Sequence, residues 1–489
     1  MVSTMTNVEQ VKIPAGYKQT EVGVIPEDWG ISTVNNVSLV PMQNGLFYEP
    51  QRKGQGVPLI NVGDMYASAP IDVSSLDLFD ATHSEIKVFK VQKGDLFFTR
   101  SSIVPSGIAY CNTFKDEDAV AVFDSHLIRV RPDQKVMDAD FLYLNCIANH
   151  SRKFLISSAK TATMTTIDQG AIKKCPVLVP PFKEQTAIAN ALSDVDKLIA
   201  ALETLIAKKS AIKTAAMQQL LTGKKRLPAF AGEREGQHLK ANEQCNAKPN
   251  EHHRTQPNSA SDTPAQHHSD AENNHQHTPR PGYKHTELGE IPEDWEVVGL
   301  GYLFENKVTR KRITEKDEVT FVGMQDVTES AKISNRNKVK YADVKSGFTY
   351  FERNDVLVAK ITPCFENGKG AFTDVLETDI GFGSTEFHVL RATSDTDSKY
   401  LYYFTNTEKF RKELEGEMVG SAGHRRVPLS SIQSYQVAIS KNIKEQTAIA
   451  NVLSDMDAEL DALQQRLAKT QAIKQGMMQE LLTGKTRLV

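Results

Sequence analysis

The sequence predicts an α+β protein in which two pseudo-symmetric mixed α/β domains are joined by a long antiparallel two-helix coiled coil. Three observations predict it: an opening motif that occurs twice, a long helical segment that occurs twice, and a β-rich interior that differs between the copies. Internal repeats of this kind indicate how a chain is divided before any single motif is considered. The chain is therefore one unit duplicated, with different contents in each copy.

The opening motif reads GYKQTEVGVIPEDWG at 16–30 and GYKHTELGEIPEDWE at 282–296, and each copy holds one of the two tryptophans of the chain. The helical segments are identical at about 28 of 45 positions, far above chance for such a stretch. These repeats divide the chain into a first domain at 1–182, a first helix at 183–227, a connection at 228–281, a second domain at 282–443 and a second helix at 444–489.

The domain interiors contain short β-rich runs bounded by Gly, Asn and Asp, which predict strands. The predicted strands lie at 56–64, 95–100, 126–132, 175–181, 319–327, 355–360, 386–392 and 435–440. The 3.6-residue pattern predicts one helix in each interior, at 138–157 and at 398–416. The last strand of each domain leads into the long helical segment.

Apolar residues in the long segments recur at alternating spacings of four and three, the a/d pattern of a coiled coil. The predicted seam consists of Ile188, Leu192, Val195, Ile199, Leu202 and Ile206 in the first segment and Ile449, Leu453, Met456, Leu460, Leu463 and Leu467 in the second. A helix of about 39 residues exceeds the usual ~10–14, which favours a coiled coil over a helix packed only on its own domain. Antiparallel pairing is simpler, because a parallel pair would send the connection back along about 58 Å.

The connection at 228–281 is polar, contains proline and has few large apolar residues, which predicts disorder. It carries seven histidines: His238, His252, His253, His267, His268, His275 and His277. Their spacing matches no fixed ligand pattern, so no metal site is predicted, and adventitious nickel or zinc binding is expected instead.

Composition excludes several classes of protein. No stretch approaches ~18 consecutive apolar residues, and residues 1–12 lack the apolar core of a signal peptide, so no membrane partner is expected. The five cysteines are scattered without a CxxC pair, which favours a reducing, cytoplasmic setting. The net charge of −3 is unusual for a lone nucleic-acid binder unless charge is concentrated on one face or a partner supplies phosphate contacts.

No catalytic motif stands out, so no catalytic residue and no cofactor are predicted. LTGKT at 482–486 ends like a phosphate loop but follows a helix C-terminus, the wrong end for phosphate. GFGST at 381–385 is not a dinucleotide fingerprint. Asp124, Ser125 and His126 are adjacent, and adjacent side chains on a strand alternate between faces, so a triad is not expected.

The repeated motifs resemble those of a known family. The duplicated GYKxTExGxIPEDW motif, the helix opening KEQTAIANxLSDxD and the helix end QxLLTGKxRL are similar to those of type I restriction-modification specificity subunits. The PPFKEQTAIA junction at 180–189 is similar to the family's transition from target-recognition domain to helix. The likeness covers nearly the whole chain except its start and the connection.

The resemblance implies two target-recognition domains, each reading one half of a split sequence in double-stranded DNA. It implies that the helices form an antiparallel coiled coil that spaces the domains and docks two methyltransferase subunits. Two restriction subunits, which are motor-nucleases, would join them. The chain would itself be non-catalytic, and partners that enclose the DNA would share the phosphate contacts, which accounts for the modest net charge.

Candidate base-reading residues lie in polar loops just after predicted strands or helices. Arg suits guanine and Asn suits adenine by bidentate geometry, whereas an ordinary loop residue or a phosphate contact carries no sequence information. The candidates are Arg100, Ser101, Ser102, Lys160, Thr161, Thr163 and Thr165 in the first domain, and Lys360, Thr362, Asn367, Lys369, Ser421, His424, Arg425 and Arg426 in the second. Alignment from the closing strands places 165–166 opposite 425–426.

Three alternatives stay open. The specificity chain of a fused type II-like methylase-nuclease would share this architecture but have another partner. A coiled-coil scaffold would bind proteins only, and would give no sequence-specific DNA protection beside a methyltransferase. A stand-alone enzyme is disfavoured by the missing motifs.

Overall fold

The computed structural model describes residues 13–67, 69–231, 279–421 and 423–488. The chain divides into two compact units, unit 1 (Met1–Thr204 with Gln464–Val489) and unit 2 (Leu205–Leu463). Most of the connection at 228–281, with its seven histidines, lies outside the described residues. Its predicted disorder therefore stays a prediction.

Unit 1 is built around antiparallel strands. An opening hairpin pairs Tyr17–Thr20 with Gly23–Pro26, and Gly30–Thr33 pairs with Pro176–Val179, the last strand before the long helix. The central sheet has the order Gln43–Asn44, Leu127–Val130, Leu96–Thr99, Cys111–Thr113. Two further sheets have the orders Val122–Phe123, Lys53–Ile60, Leu78–Phe79 and Lys160–Thr161, Thr165–Thr166, Ser101–Ser102.

Three of the predicted strands of this unit are confirmed within one or two residues, at 95–100, 126–132 and 175–181. The run at 56–64 is a strand only as far as Ile60, because Asp64 begins a short helix.

The helices of unit 1 correct one prediction. They are Asp64–Ala67, His83–Phe89, Ala139–Ile147, Asn149–Ser157, Gln169–Lys173, the first part of Phe182–Leu220 and the last part of Ile443–Leu481, with 3-10 turns at Pro50–Arg52, Val73–Ser75 and Pro105–Gly107. The single helix predicted at 138–157 is wrong. Ala148 is extended, with φ −67° and ψ 155°, and this separates two shorter helices. The first begins after Asp138, whose side chain accepts hydrogen bonds from the Asp140 and Phe141 amides.

Unit 2 repeats the plan with different sheets. Its opening hairpin pairs Tyr283–Thr286 with Gly289–Pro292, and Trp295–Gly299 pairs with Gln436–Ser440. One sheet has the order Asn337–Lys340, Glu318–Val322, Ile380–Gly383, Thr349–Glu352, and a second has the order Gly370–Phe372, Val356–Ala359, Phe387–Leu390. The strands predicted at 355–360, 386–392 and 435–440 are confirmed, whereas the run at 319–327 ends as a strand at Val322.

In unit 2 as well, one predicted helix is two shorter helices in the structure. The helices of this unit are the last part of Phe182–Leu220, then Tyr341–Val344, Ser398–Thr405, Glu408–Glu415, Leu429–Ser434 and the first half of Ile443–Leu481, with 3-10 turns at Leu300–Leu303, Met324–Asp326 and Thr373–Val375. The single helix predicted at 398–416 is wrong because Thr407 is extended and starts a second helix. Its hydroxyl accepts a hydrogen bond from the Phe410 amide at 3.2 Å.

The two long helices have 39 residues each, Phe182–Leu220 and Ile443–Leu481. All twelve residues of the predicted seam are buried or half-buried, whereas Leu198, Leu205 and Ile212 on the first helix are exposed. Within the described ranges, no helix is both long enough and apolar enough to cross a membrane.

Ion pairs give the direction of helix packing inside each unit. In unit 1, Lys474 lies 2.5 Å from Asp196. Leu481 and Leu482, at the end of the second helix, share a core with Ile188 and Leu192, which lie near the start of the first helix. The segments therefore run antiparallel in this unit.

In unit 2, Lys209 lies 2.8 Å from Glu459, and Lys213 lies 2.5 Å from Asp457. The residue number rises from 209 to 213 on the first helix while that of its partner falls from 459 to 457 on the second, so these segments also run antiparallel.

A buried junction joins the opening motif of unit 1 to both helix segments. Trp29 is fully buried, and its Nε1 donates to Glu184 at 3.1 Å. Arg487 donates to the same carboxylate at 2.7 and 2.8 Å and to Asp28 at 2.9 and 2.7 Å. The hydrogen bonds that Arg487 donates to Glu184 and Asp28 raise the pKa of its guanidinium. Gly484 has φ +70°, and a Cβ there would lie 2.5 Å from a proline carbon of the motif.

The junction of unit 2 has the same contacts. Trp295 Nε1 donates to Glu445 at 3.2 Å, and Arg226 donates to that carboxylate at 2.8 Å twice and to Asp294 at 3.0 Å twice. Gly223 has φ +69° and meets the opening motif as closely as its counterpart does. The repeated residues of the sequence are therefore those that hold each unit's helix segments to its opening motif.

Candidate functional site

Three short strands of unit 1 border a groove. The strand Thr165–Thr166 pairs with Ser101–Ser102 on one side and with Lys160–Thr161 on the other. Arg100 connects this small sheet to the core, because its amide donates to His126 O at 3.0 Å and its carbonyl accepts from the Ile167 amide at 2.9 Å. Groove 1 has a volume of about 450 Å³ and is lined by Arg100, Ser101, His126, Ser158, Lys160, Thr166, Ile167 and Asp168.

Three of the predicted site residues of unit 1, Arg100, Ser101 and Lys160, line groove 1 together. The guanidinium of Arg100 donates to the Ser125 carbonyl at 3.0 Å, which fixes its position. Thr161 and Thr163 are exposed on the adjoining hairpin.

Two predicted residues are turned inward. Thr165 is buried, and its hydroxyl lies 3.1 Å from that of Thr161, so Thr166 takes the groove position expected of Thr165. The Ser102 hydroxyl donates to the Val104 carbonyl at 2.7 Å. The alternation of side chains along a two-residue strand accounts for the exchange of neighbouring threonines.

His126 is a groove residue that the sequence interpretation dismissed. The strand assumed at 124–126 is wrong: the chain turns there, and the Leu127 amide donates to the Asp124 carbonyl at 3.0 Å. In this turn His126 Nδ1 lies 2.7 Å from Asp124 Oδ1. The DSHL sequence, with Asp two residues before His, is compatible with such a side-chain turn and was the available signal.

Unit 2 uses the same backbone frame. The Lys360 amide donates to Glu386 O at 2.9 Å, and the Lys360 carbonyl accepts from the Val427 amide at 2.9 Å. The backbone of Arg426 forms antiparallel β-bridges with Ile361 and with Val419. These bonds match those of the first groove and place Arg426 opposite Thr166, in agreement with the alignment from the closing strands.

Carboxylates hold the two arginines of this surface. Arg426 donates to Glu386 through two nitrogens, each at 2.9 Å, and Arg425 donates to Glu366 at 3.1 Å. The hydrogen bond from Arg426 lowers the pKa of Glu386, and the same contact raises the pKa of Arg426. About half of the Arg426 side chain stays exposed. No local sequence pattern indicated these partners, because they lie 40 and 59 residues away along the chain.

The other predicted residues of unit 2 lie nearby with separate contacts. Thr362 donates to Glu366 at 3.1 Å, and its amide donates to the Arg425 carbonyl. Asn367 donates to Glu329 at 2.9 Å, and Lys369 donates to the Met324 carbonyl at 3.2 Å.

Ser421 and His424 are exposed and share a turn, in which the His424 amide donates to the Ser421 carbonyl at 3.0 Å. This turn adjoins Arg425 and Arg426 in sequence, so the site of unit 2 ends in exposed polar groups.

These surfaces combine donors and acceptors that suit base edges. Arg and Lys donate, carboxylates accept, and hydroxyl groups do either. In the residues that the structure describes, no group of three or more His, Cys, Asp or Glu side chains is placed to hold a metal ion. Both surfaces therefore offer hydrogen-bond donors, hydrogen-bond acceptors and charged groups.

Comparison with known proteins points to one family. The family model described as the type I restriction modification DNA specificity domain matches twice, at 26–213 and 292–474. The chain is similar to the type I restriction enzyme EcoAI specificity subunit of Escherichia coli, with 32% identity over 195 residues. That match covers 40% of this chain and a third of the relative.

A longer match is with the type I restriction enzyme MjaVIII specificity subunit of Methanocaldococcus jannaschii, with 24% identity over 386 residues and 75% of each chain covered. Among solved structures, the fold is similar to the type I restriction-modification system S subunit from M. genitalium, with a TM-score of 0.52 and 13% identity. That likeness covers 93% of this chain and 96% of the other.

Proposed function

Because the chain belongs to the type I restriction-modification DNA specificity family, with two copies of its domain, we propose that it is the DNA-reading subunit of such a complex. Each unit reads one half of a bipartite target in double-stranded DNA. The chain contributes recognition, and the methyl transfer and cleavage reactions belong to its partners.

One observation carries this proposal: groove 1 and the matching surface of unit 2 share a backbone frame but differ in the side chains that they present. Positions 100, 126 and 166 hold Arg, His and Thr in unit 1, and the matching positions 360, 386 and 426 hold Lys, Glu and Arg in unit 2. A duplicated catalytic site would keep its chemistry in both copies, whereas two readers of different sequences need different donors and acceptors.

We also propose that the two long helices form one antiparallel coiled coil that spaces the units and docks two methyltransferase subunits, with two restriction subunits added for cleavage. The burial of the twelve seam residues supports this. The antiparallel ion pairs inside each unit support it as well.

A domain exchange tests the division of labour. Replacing residues 297–440 with the equivalent region of a relative, in a chain expressed with its methyltransferase subunits, should change one half of the methylated motif. The matched control replaces residues 31–179 and should change the other half. Long-read sequencing of methylated DNA gives the result. A change in both halves from a single exchange, or in neither, would contradict the proposal.

A further inference from the structure

We propose that His126, oriented by Asp124, reads a base edge in the half-site of unit 1, and that Glu386 occupies the same reading position in unit 2. The inference deepens the proposed function and rests on it. Neither residue was among the base-reading candidates predicted from the sequence.

The geometry fixes one edge of the His126 ring and leaves the rest of the side chain accessible. Asp124 is 4% exposed, and its Oδ1 accepts a hydrogen bond from the His126 amide at 2.7 Å and lies 2.7 Å from Nδ1. The Asp124 amide in turn donates to the Ile60 carbonyl at 3.0 Å. The His126 side chain is 65% exposed and lines groove 1 beside Arg100 and Lys160.

This contact decides which nitrogen carries the proton. A carboxylate oxygen accepts hydrogen bonds, so in a neutral imidazole at this position Nδ1 carries the proton and Nε2 is the acceptor. An acceptor in the major groove recognises the exocyclic amino group of adenine or cytosine. The buried carboxylate restrains the ring, so part of the ordering entropy is spent before DNA binds.

The same turn is present in unit 2. There the Ser384 hydroxyl accepts from the Glu386 amide at 3.2 Å, as Asp124 does from His126, and the Ser384 carbonyl accepts from the Phe387 amide at 3.2 Å. The frame thus presents an acceptor in both units, an imidazole nitrogen in one and a carboxylate in the other. The carboxylate is paired with Arg426, which adds donors that unit 1 lacks at this position.

The test compares His126→Ala with Glu386→Ala in the full chain, expressed with the methyltransferase subunits that co-purify with it. Methylated motifs are mapped first for the parent chain. Duplexes that change each base pair of that motif in turn are then used as substrates. His126→Ala should reduce discrimination at one base pair of one half-site by about tenfold or more, and Glu386→Ala should do so in the other half-site.

His83→Ala is the matched control, because His83 is an exposed histidine of the same unit at the start of a helix outside groove 1. It should leave the motif unchanged. Thermal melting of each variant establishes that the unit is folded, as expected for an exposed His126.

Two results would overturn the inference. One is an unchanged motif in a folded His126→Ala chain. The other is an equal loss on every duplex, which marks a phosphate contact. Relaxation of both half-sites by one substitution, or a parent chain that directs no sequence-specific methylation, would contradict the proposed function instead.

Discussion

Duplication has preserved the side chains of the two junctions, but it has not preserved those of groove 1 and the matching surface of unit 2. Each junction repeats a tryptophan, a buried glutamate and a bidentate arginine, contact for contact. Groove 1 and the matching surface of unit 2 share their backbone hydrogen bonds but differ in their side chains. A buried charge without its partner costs several kcal/mol, whereas an exposed groove residue can change at little cost to folding. The comparison separates positions constrained by stability from positions free to set specificity.

The largest effect is expected at the junction. Arg487→Ala leaves the carboxylate of Glu184, which is 1% exposed, without its ionic partner. The loss of stability should be about 3–5 kcal/mol in unit 1. Urea unfolding followed by hydrogen exchange measures it, with the exposed Lys485→Ala as control. Arg226→Ala should have a similar effect in unit 2, and a loss below about 1 kcal/mol in both would remove the junction from the stabilising frame.

A smaller loss is expected from the paired glycines. Gly484→Ala and Gly223→Ala each put a Cβ at positive φ and within 2.6 Å of a proline carbon, so each should cost about 1–3 kcal/mol. Gly476 lies inside the long helix Ile443–Leu481, which ends before Gly484, and no atom lies near its Cβ, so Gly476→Ala should stabilise by about 1 kcal/mol. Thermal melting shows whether each substitution raises or lowers the melting temperature. Equal changes in melting temperature for all three variants would refute the close-packing argument.

Substitutions in groove 1 and on the matching surface of unit 2 should change DNA specificity rather than stability. If Arg426 reads a guanine, Arg426→Ala should weaken one half-site by about 1–3 kcal/mol, most for the cognate base. Arg425→Ala tests the neighbouring arginine in the same way. Competition binding with base-substituted duplexes measures the loss. A uniform loss on unrelated DNA would assign these arginines to phosphates, and no loss would place them outside the interface.

The smallest effect concerns pH. Burial lowers the pKa of His150 to about 4, and its Nε2 lies 3.0 Å from Asn145 Oδ1. The unfolded chain therefore takes up this proton first, so the contribution of His150 to stability is present above pH 6.5 and lost as pH falls towards 4. Stability should fall by about 1 kcal/mol between pH 7 and pH 5.5 from this group. The free energy of unfolding is measured against pH for His150→Gln and for the parent chain. An equal fall in both between pH 7 and pH 5.5 would contradict this.

The sequence predicted the parts of the fold that depend on local pattern. Strand periodicity located Leu96–Thr99 and Val356–Ala359, and heptad spacing selected positions on each long helix that are buried or half-buried. The breaks at Ala148 and Thr407 were missed, because apolar periodicity continues across both of them. Local pattern therefore finds elements more readily than their interruptions.

The candidate surfaces were predictable only where polar loops follow strands or helices, and Arg100, Lys160 and Arg426 were selected on that ground. The acidic partners of the arginines were missed because their distances in sequence carry no local signal, and His126 was missed because a turn was mistaken for a strand.

The junction of unit 1 also bears on the order of synthesis. Unit 2 is one continuous segment, Leu205–Leu463, whereas unit 1 needs Gln464–Val489 in addition to Met1–Thr204. A ribosome makes the chain from its N-terminus, so every residue of unit 2 is available before Arg487 can reach Glu184. Until then that glutamate and Trp29 lack part of their burial. The first domain to be translated is thus the second to be completed, and nascent chains should expose its hydrophobic surface to chaperones for longer.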